Sequence, residues 1–269
     1  MTIAAIIPIG DLRINGYGNV LETCLRSIAK FADFVVIVQS HPAIESMQKY
    51  RHVAKNIDLI SSPETWFRNG IYDGKQIDKN LDLGVDFAED NGATVAIYLS
   101  SNWYIPAANR DNLRRVCNET IGWNYLYRGD QLANVLFGAS KMLPSIIEIG
   151  RDCKYEFTSD SMVSELHQAK TIRGSFQDKN DVMVIDAPFE ITLDDLRYKM
   201  NFVRCYADEL SKRKPAFDWS FWERYYLDKL KDKRPIDLPL DEYGQEIAAN
   251  TKPEYLSHYF LRELSYATA

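Results

Sequence analysis

Histidine and cysteine are scarce in this chain and poorly spaced for a metal. The four cysteines, Cys24, Cys117, Cys153 and Cys205, form no C-x-x-C pair. They suggest neither a zinc site nor a disulfide framework, and reduced thiols in a cytoplasmic protein are expected. The four histidines, His41, His52, His167 and His258, share no ligand spacing. There is no P-loop, no internal repeat and no low-complexity segment. No apolar run approaches the ~20 residues that span a bilayer. The opening "MTIAAIIPIG" has no basic n-region and meets Pro8 too soon for a secretory signal, so a cytoplasmic location with no transmembrane segment is the expectation. Positive charge is in deficit as well: a net charge of −6 argues against a broad nucleic-acid surface.

What is present is a large apolar inventory. The 269 residues are 46% apolar, enough for one sizeable α/β core, or for one domain with a helical appendage. Aromatics make up 12%, which suits both a core and a site that stacks bases or sugars. Ile3 to Ile9 is a near-continuous apolar run, as in a strand buried on both faces of a parallel sheet. After the loop "GDLRINGYGN", Val20, Leu21, Cys24, Leu25, Ile28 and Ala29 recur at helical spacing. "FVVIV" from Phe34 to Val38 predicts a second buried strand, Ile44 to Lys55 a helix, and Asp58 to Ser61 a short third strand. This β-α-β-α-β order predicts a parallel, doubly wound sheet with right-handed crossovers.

The loop "SSPETWFRNGIYDGK" leads to a predicted helix from Ile77 to Glu89, with Leu81, Val85 and Ala88 on one face. Val95 to Leu99 reads as a fourth buried strand. "GWNYLYR" and "QLANVLFGA" read as strands, "KMLPSIIEIG" as a short helix, Ser159 to Ala169 as another, and "DVMVIDAPF" as a late strand. Beyond Phe189 the pattern turns helical. Thr192 with Asp195 resembles a capping box for a helix running to about Arg213, and Asp218 can cap "WSFWERYYLDKLKDKR", which ends at Pro235. Thr251 with Glu254 repeats the capping pattern. The expected organisation is a domain over residues 1–189 and a helical extension over 190–269.

Gly16-x-Gly18 is a poor dinucleotide fingerprint, because Leu21 stands where Gly or Ala is wanted and the glycines follow the strand too late. The order of the pieces says more. "Pro8…Leu21…Cys24-Leu25…Ser27-Ile28", then "Leu81-Asp82-Leu83-Gly84-Val85-Asp86-Phe87-Ala88", then "Phe137-Gly138-Ala139-Ser140-Lys141…Ile149-Gly150", then "Ser159-Asp160-Ser161" follow one another at suggestive spacings. Over roughly Thr2 to Gly174 the chain resembles the family-2 glycosyltransferases. The resemblance implies the A-type nucleotide-sugar-binding fold: a mostly parallel central sheet flanked by helices.

It also implies a chemistry. In that family the strand equivalent to Val95–Leu99 ends in "L-D-x-D", whose acids hold Mg²⁺ or Mn²⁺ against the donor diphosphate. Here the segment reads Leu99-Ser100-Ser101-Asn102-Trp103. Neutral oxygens supply no charge, so no metal ligand is assigned and weak or absent metal dependence is expected. The acid that reads the base is replaced by Gln39 or Ser40, and a Gln amide can still read a base edge. The resemblance places the nucleotide against Pro8, Ile9, Gly10, Asp11, Gln39, Ser40, Asp82, Ser101 and Asn102. Asp160 becomes the general base for an inverting transfer to a glycan or other hydroxyl acceptor. An equally good local reading makes Ser159 or Asp160 only a helix cap. Lys79, Arg110 and Arg173 are the candidate cations for the departing diphosphate. Two rival readings stand beside this one: a non-catalytic binding protein on the same scaffold, and a nucleotidyltransferase.

Overall fold

The structure is a computed structural model that describes residues 1–9, 20–40, 48–63, 67–68, 71–72, 74–132, 134–150, 154–157, 164–167, 183–187 and 235–250. β1 (Ile3–Ile9) is buried along its whole length. Its alternate side chains feed two different cores, because successive side chains of a strand point to opposite faces. Ile3, Ala5, Ile7 and Ile9 enter the larger cluster. Ala4 and Ile6 enter the smaller one. α1 (Leu21–Ala29) covers the first face with Leu21, Cys24, Leu25 and Ile28. β2 (Phe34–Ser40) and β3 (Ile57–Ser62) lie beside β1 in parallel register, Ile9 opposite Gln39 and Gln39 opposite Ser61.

After the small hairpin of β4 (Phe67–Arg68) and β5 (Ile71–Tyr72), α2 (Gly74–Asp90) covers the second face through Leu81 and Ala88. It lies very close to the sheet. A Cβ on Gly84 would clash with Ile6 Cγ2 and come within 3.0 Å of Val38 Cγ2. β6 (Val95–Tyr98) pairs parallel with β1 on the side away from β2.

Beyond β6 the sheet becomes mixed. β7 (Trp103–Tyr104) and α3 (Arg110–Glu119) precede β8 (Trp123–Leu132) and the long β9 (Val135–Glu148). β9 runs antiparallel to both β6 and β8. β10 (Lys154–Phe157) and β11 (Ser164–His167) form a separate antiparallel pair. β12 (Met183–Asp186) joins β8 in parallel and β7 in antiparallel register. β13 (Pro235–Ile236) adds to β9, and α4 (Glu242–Asn250) packs Tyr243 and Ile247 into the larger core. The sheet order is β3-β2-β1-β6-β9-β8-β12-β7, with β13 beside β9. Among the described strands of this sheet only β9 and β7 oppose the common direction, so the fold is the expected α/β class with a mostly parallel central sheet flanked by helices. Among the described residues no helix is long and apolar enough to cross a membrane.

Three predicted helices are corrected. "KMLPSIIEIG" belongs largely to β9: Ile146 faces one core and Ile147 the other, a period of two that a helix cannot give. Pro144 is tolerated because it sits beside a register shift at Asn124/Tyr125, where the ladder is already interrupted. The helix expected over 159–169 is contradicted at Ser164–His167, which is strand and pairs in register with β10. The helix expected over Ile44 to Lys55 is, among the described residues, only a 3₁₀ turn at Gln48–His52. The helices expected over 192–213, from Asp218 up to Pro235 and from Thr251 onward lie outside the described residues, except Pro235 itself, which opens β13. Helices α3 and α4 and the short β7 were not legible in the pattern.

α4 is tied down at its N-terminus and along its first turns. Asp241 caps it, accepting from the Tyr243 and Gly244 amides at 3.1 and 3.0 Å. Its other carboxylate oxygen accepts from the Ala107 amide at 2.8 Å. On the α1 side, Glu246 accepts from Thr23 Oγ at 2.7 Å and pairs with Arg26, and Lys30 pairs with Glu242 at 3.0 Å.

Two predictions follow from this packing. Gly84→Ala gains helix propensity of about 1 kcal/mol but overpacks the α2–sheet contact by about 1–3 kcal/mol. A net fall in Tm of roughly 2–6 °C is expected by calorimetry. Burial alone would raise the carboxyl of Glu246, and the hydrogen bonds from Arg26 and Thr23 more than offset it, so its pKa lies below the ordinary 4.5. A lowered carboxylate stabilises fully above that ordinary value and loses its contribution as the pH falls through the lower folded one. Glu246→Gln should therefore lower stability near neutral pH by up to about 1 kcal/mol, since the pair is well solvated. The gap to wild type should close in acid, as read by urea titrations across pH.

Candidate functional site

β1 and β6 are apolar throughout apart from the Tyr98 hydroxyl, β2 is apolar until Gln39 and Ser40, and β3 ends in Ser61 and Ser62. Because β8, β12 and the short β13 run with them, seven of the described strands share this direction and deliver their carboxyl ends to one edge. Ligands of open parallel sheets bind at such an edge, and here the polar residues accumulate there. Gln39, Ser40, Ser62, Asn80, Ser101, Asn102, Asp130 and Gln131 are all buried.

The first half of this edge is the β1–β2–β3 end. Pro8 and Ile9 close β1 and are buried. Asn80, from the early part of α2, donates to Ser40 Oγ at 2.7 Å, and this fixes the helix against the end of β2. Gln39 is 1% exposed, and its Nε2 donates to Ser61 Oγ at 3.1 Å. Its Oε1 is buried with no hydrogen-bond partner. An unsatisfied buried carbonyl costs about 1–3 kcal/mol, and such groups are rare in folded proteins. Here one sits at the end of a strand where a ligand is expected. Lys79 is exposed on α2 next to Asn80, and Asp82 is half-buried one turn further on.

The second half is the turn after β6. Ser100 Oγ donates to Asn102 Oδ1 at 2.8 Å. Asn102 Nδ2 donates to Asp186 Oδ1 at 2.6 Å and to the Ala187 carbonyl at 3.1 Å. The Ala187 amide returns a bond to the Asn102 carbonyl at 2.9 Å. The turn is therefore welded to the end of β12. Arg128 NH1 stands 3.7 Å from Asp186 Oδ2. Tyr98 and Trp103 flank the turn, their ring centroids 6.0 Å apart.

This donor set does not fit Mg²⁺ or Mn²⁺. Such ions take ionised or open oxygens. The Asn102 amide is engaged at both ends, and Asp186 is held by Asn102 and faced by a guanidinium. Among the described residues no group of three or more His, Cys, Asp or Glu is placed to share an ion.

The expected residues therefore divide. Pro8, Ile9, Gln39, Ser40, Ser101 and Asn102 lie along the one edge, with Lys79 and Asp82 on the adjoining helix. Arg110 is drawn into another cluster, its guanidinium 5.3 Å over the Tyr243 ring of α4. Gly10, Asp11, Asp160 and Arg173 lie outside the described residues. Asp186, Arg128 and Asn80 were missed. The one available signal was that "DVMVID" ends a buried strand in an acid; the register that brings that acid to Asn102 is not readable locally. The described thiols are poor nucleophile candidates. Burial, with Asp186 and Glu246 adding to it, pushes Cys24 far up, and burial pushes Cys117 up to about 12.

No family model matches the chain, and no curated protein matches it. Several solved structures are similar at a distance. A nucleotidyl transferase from Methanothermobacter thermautotroptrophicus is 14% identical, over 54% of this chain and 70% of that one, with a TM-score of 0.34. S. aureus TarS 1–349 in complex with UDP-GlcNAc is 15% identical, over 99% and 76%, with a TM-score of 0.36. Mannose-1-phosphate geranyltransferase from Thermus thermophilus is 14% identical, over 56% and 51%, with a TM-score of 0.36. At these values the likenesses assign neither an activity nor a fold family to this chain.

Gln39→Met tests whether the unsatisfied carbonyl belongs to a ligand. The change keeps the side chain's length, removes the orphan oxygen and gives up the bond to Ser61. Stability should equal that of wild type or exceed it by up to about 2 kcal/mol, since a penalty of about 1–3 kcal/mol and a bond of about 1 kcal/mol are removed together. Nucleoside affinity should fall at least tenfold in a calorimetric titration. Unchanged affinity would mean the carbonyl faces no ligand.

Proposed function

We propose that the chain binds a nucleotide-sugar across this carboxyl edge and transfers the sugar to a hydroxyl acceptor with inversion, with little or no dependence on a divalent ion. The observation that carries the reading is Gln39. It is the one described side chain at the end of β2 with a buried, unpartnered acceptor, where a base edge carrying an N–H donor would satisfy it. Pro8 and Ile9 would line the nucleoside beside it, with Gly10 and Asp11 following them in the chain. Ser101 and the clamped turn would lie under the diphosphate.

In the transfer, the acceptor oxygen forms a bond to the anomeric carbon while the bond from that carbon to the diphosphate oxygen breaks. The electron pair leaves with the diphosphate. The acceptor proton passes to a carboxylate, which we assign to Asp160.

The neutral turn also favours a second reading, a protein that binds nucleotide-sugars without turning them over. One experiment separates these readings and the nucleotidyltransferase. The chain is incubated with a panel of UDP-, GDP- and CDP-sugars, with nucleoside triphosphates plus sugar phosphates, and with a hydroxyl-acceptor library, and products are read by mass spectrometry. Sugar transfer with release of nucleoside diphosphate supports the proposal. Binding without turnover supports the second reading, and pyrophosphate release the third. If transfer is seen, Asp160→Asn should lower turnover by about 10²–10⁴ and leave donor affinity unchanged. Near-normal turnover would remove Asp160 from the mechanism.

A further inference from the structure

We infer that Arg128 is the fixed cation that faces the donor diphosphate, in the place where a divalent ion would otherwise stand, and that Asp186 positions it. The inference rests on the donor-binding reading above and deepens it.

A leaving diphosphate gains negative charge as its bond to the sugar breaks, and that charge needs a partner that is already in place. The turn after β6 carries no acid to hold a metal, and its Ser100 and Asn102 side chains are engaged with each other and with the end of β12. Of the cations expected from the sequence, Lys79 is exposed on α2 and Arg110 lies over Tyr243. Arg128 differs from both. It extends from β8, and its side chain is 25% exposed. It reaches to within 3.7 Å of Asp186 Oδ2, and the other oxygen of that carboxylate accepts from Asn102 in the turn. A guanidinium therefore stands one side chain away from the segment that would lie under the diphosphate.

Two details give it a ligand-facing character. A separation of 3.7 Å is an ion-pair distance and is too long for a hydrogen bond. The guanidinium Nε is also buried with no partner. Arg128 thus carries its charge next to Asp186 while keeping donor capacity unspent. A planar fork of donors matches phosphate oxygens in two-point geometry. Asp186 has a separate task. Its carboxylate balances the charge in the free protein and, through Asn102, ties the position of the guanidinium to the turn. It is a positioning residue, since it reaches the diphosphate only through its neighbours.

The two residues should respond with opposite signs. If Arg128 served only to brace Asp186, removing either partner would give the same defect. If it meets the diphosphate, Arg128→Gln removes the anion's partner, whereas Asp186→Asn removes a competing anion and still accepts from Asn102. The test uses the full chain as wild type, Arg128→Gln, Arg128→Lys and Asp186→Asn. Calorimetric titration with uridine, UMP and UDP, and with guanosine, GMP and GDP, is run in EDTA and again with added Mn²⁺, and each variant's Tm is recorded.

The expected result is that wild type binds the diphosphate more tightly than the nucleoside in EDTA. Arg128→Gln should lose about 10–100-fold in diphosphate affinity with nucleoside affinity unchanged. Arg128→Lys should fall between, and Asp186→Asn should equal or exceed wild type. Three results would overturn the inference: diphosphate affinity that disappears in EDTA and returns with Mn²⁺, diphosphate affinity unchanged in both Arg128 variants, or an equal loss for nucleoside and diphosphate shared by Arg128→Gln and Asp186→Asn. In all three, wild type still binds nucleotide and the donor-binding reading survives. Wild type that binds neither nucleotide series overturns that reading, and this inference falls with it.

Discussion

β1 is the constraint on which the rest depends. It is a seven-residue strand of Ile, Ala and Pro that is buried from end to end. A strand with no polar face cannot border solvent, so it must be central and covered on both sides. The two clusters that share its side chains meet this demand, α1 closing one face and α2 the other. The small residues have a geometric role: Ala4 and Ala5 leave room for close layers, and Gly84 lets α2 come against Ile6 and Val38. Polar chemistry is thereby displaced to the strand ends.

At the carboxyl ends the polar groups are of two kinds, and the difference has functional weight. Asn80–Ser40 and the Ser100–Asn102–Asp186 chain are satisfied within the protein. They hold elements in place and have little left for a ligand. Gln39 and Arg128 each keep a buried polar atom without a partner. A fold tolerates such atoms poorly, and the donor-binding reading proposed above would give both a ligand partner. The turn after β6, first in view as a depleted metal site, is clamped to the end of β12, where Arg128 faces Asp186.

The far side of the sheet shows how a late segment of chain completes an early one. Residues 235–250 add β13 to β9, and Tyr243 fills the core beside α1. Gln131 donates to the Gly244 carbonyl at 2.7 Å and accepts from the Tyr104 hydroxyl at 2.8 Å, so β8, β7 and α4 close on one another. A Cβ on Gly244 would come within 2.8 Å of that hydroxyl. Local pattern hid α4 because it buries so few side chains and carries a glycine; its stability comes from the cap at Asp241 and from its partners.

Periodicity and composition by themselves determined the strands β1, β2, β3 and β6 and the helices α1 and α2. β1, β2 and β6 are written as unbroken apolar runs, β3 as a shorter run around Leu59 and Ile60, and the helices as apolar stripes at helical spacing. They also determined that the turn at Ser100–Asn102 has no acid. The tertiary structure alone decided that Lys141 to Glu148 is strand, because a short apolar run suits helix or strand equally until β6 and β8 offer it hydrogen bonds on both sides. It alone decided that Arg110 belongs to the Tyr243 cluster, and that Asp186 and Arg128 stand beside Asn102. Those residues are distant in sequence, and their meeting depends on sheet order and register, which are set by long-range pairing and by no local pattern.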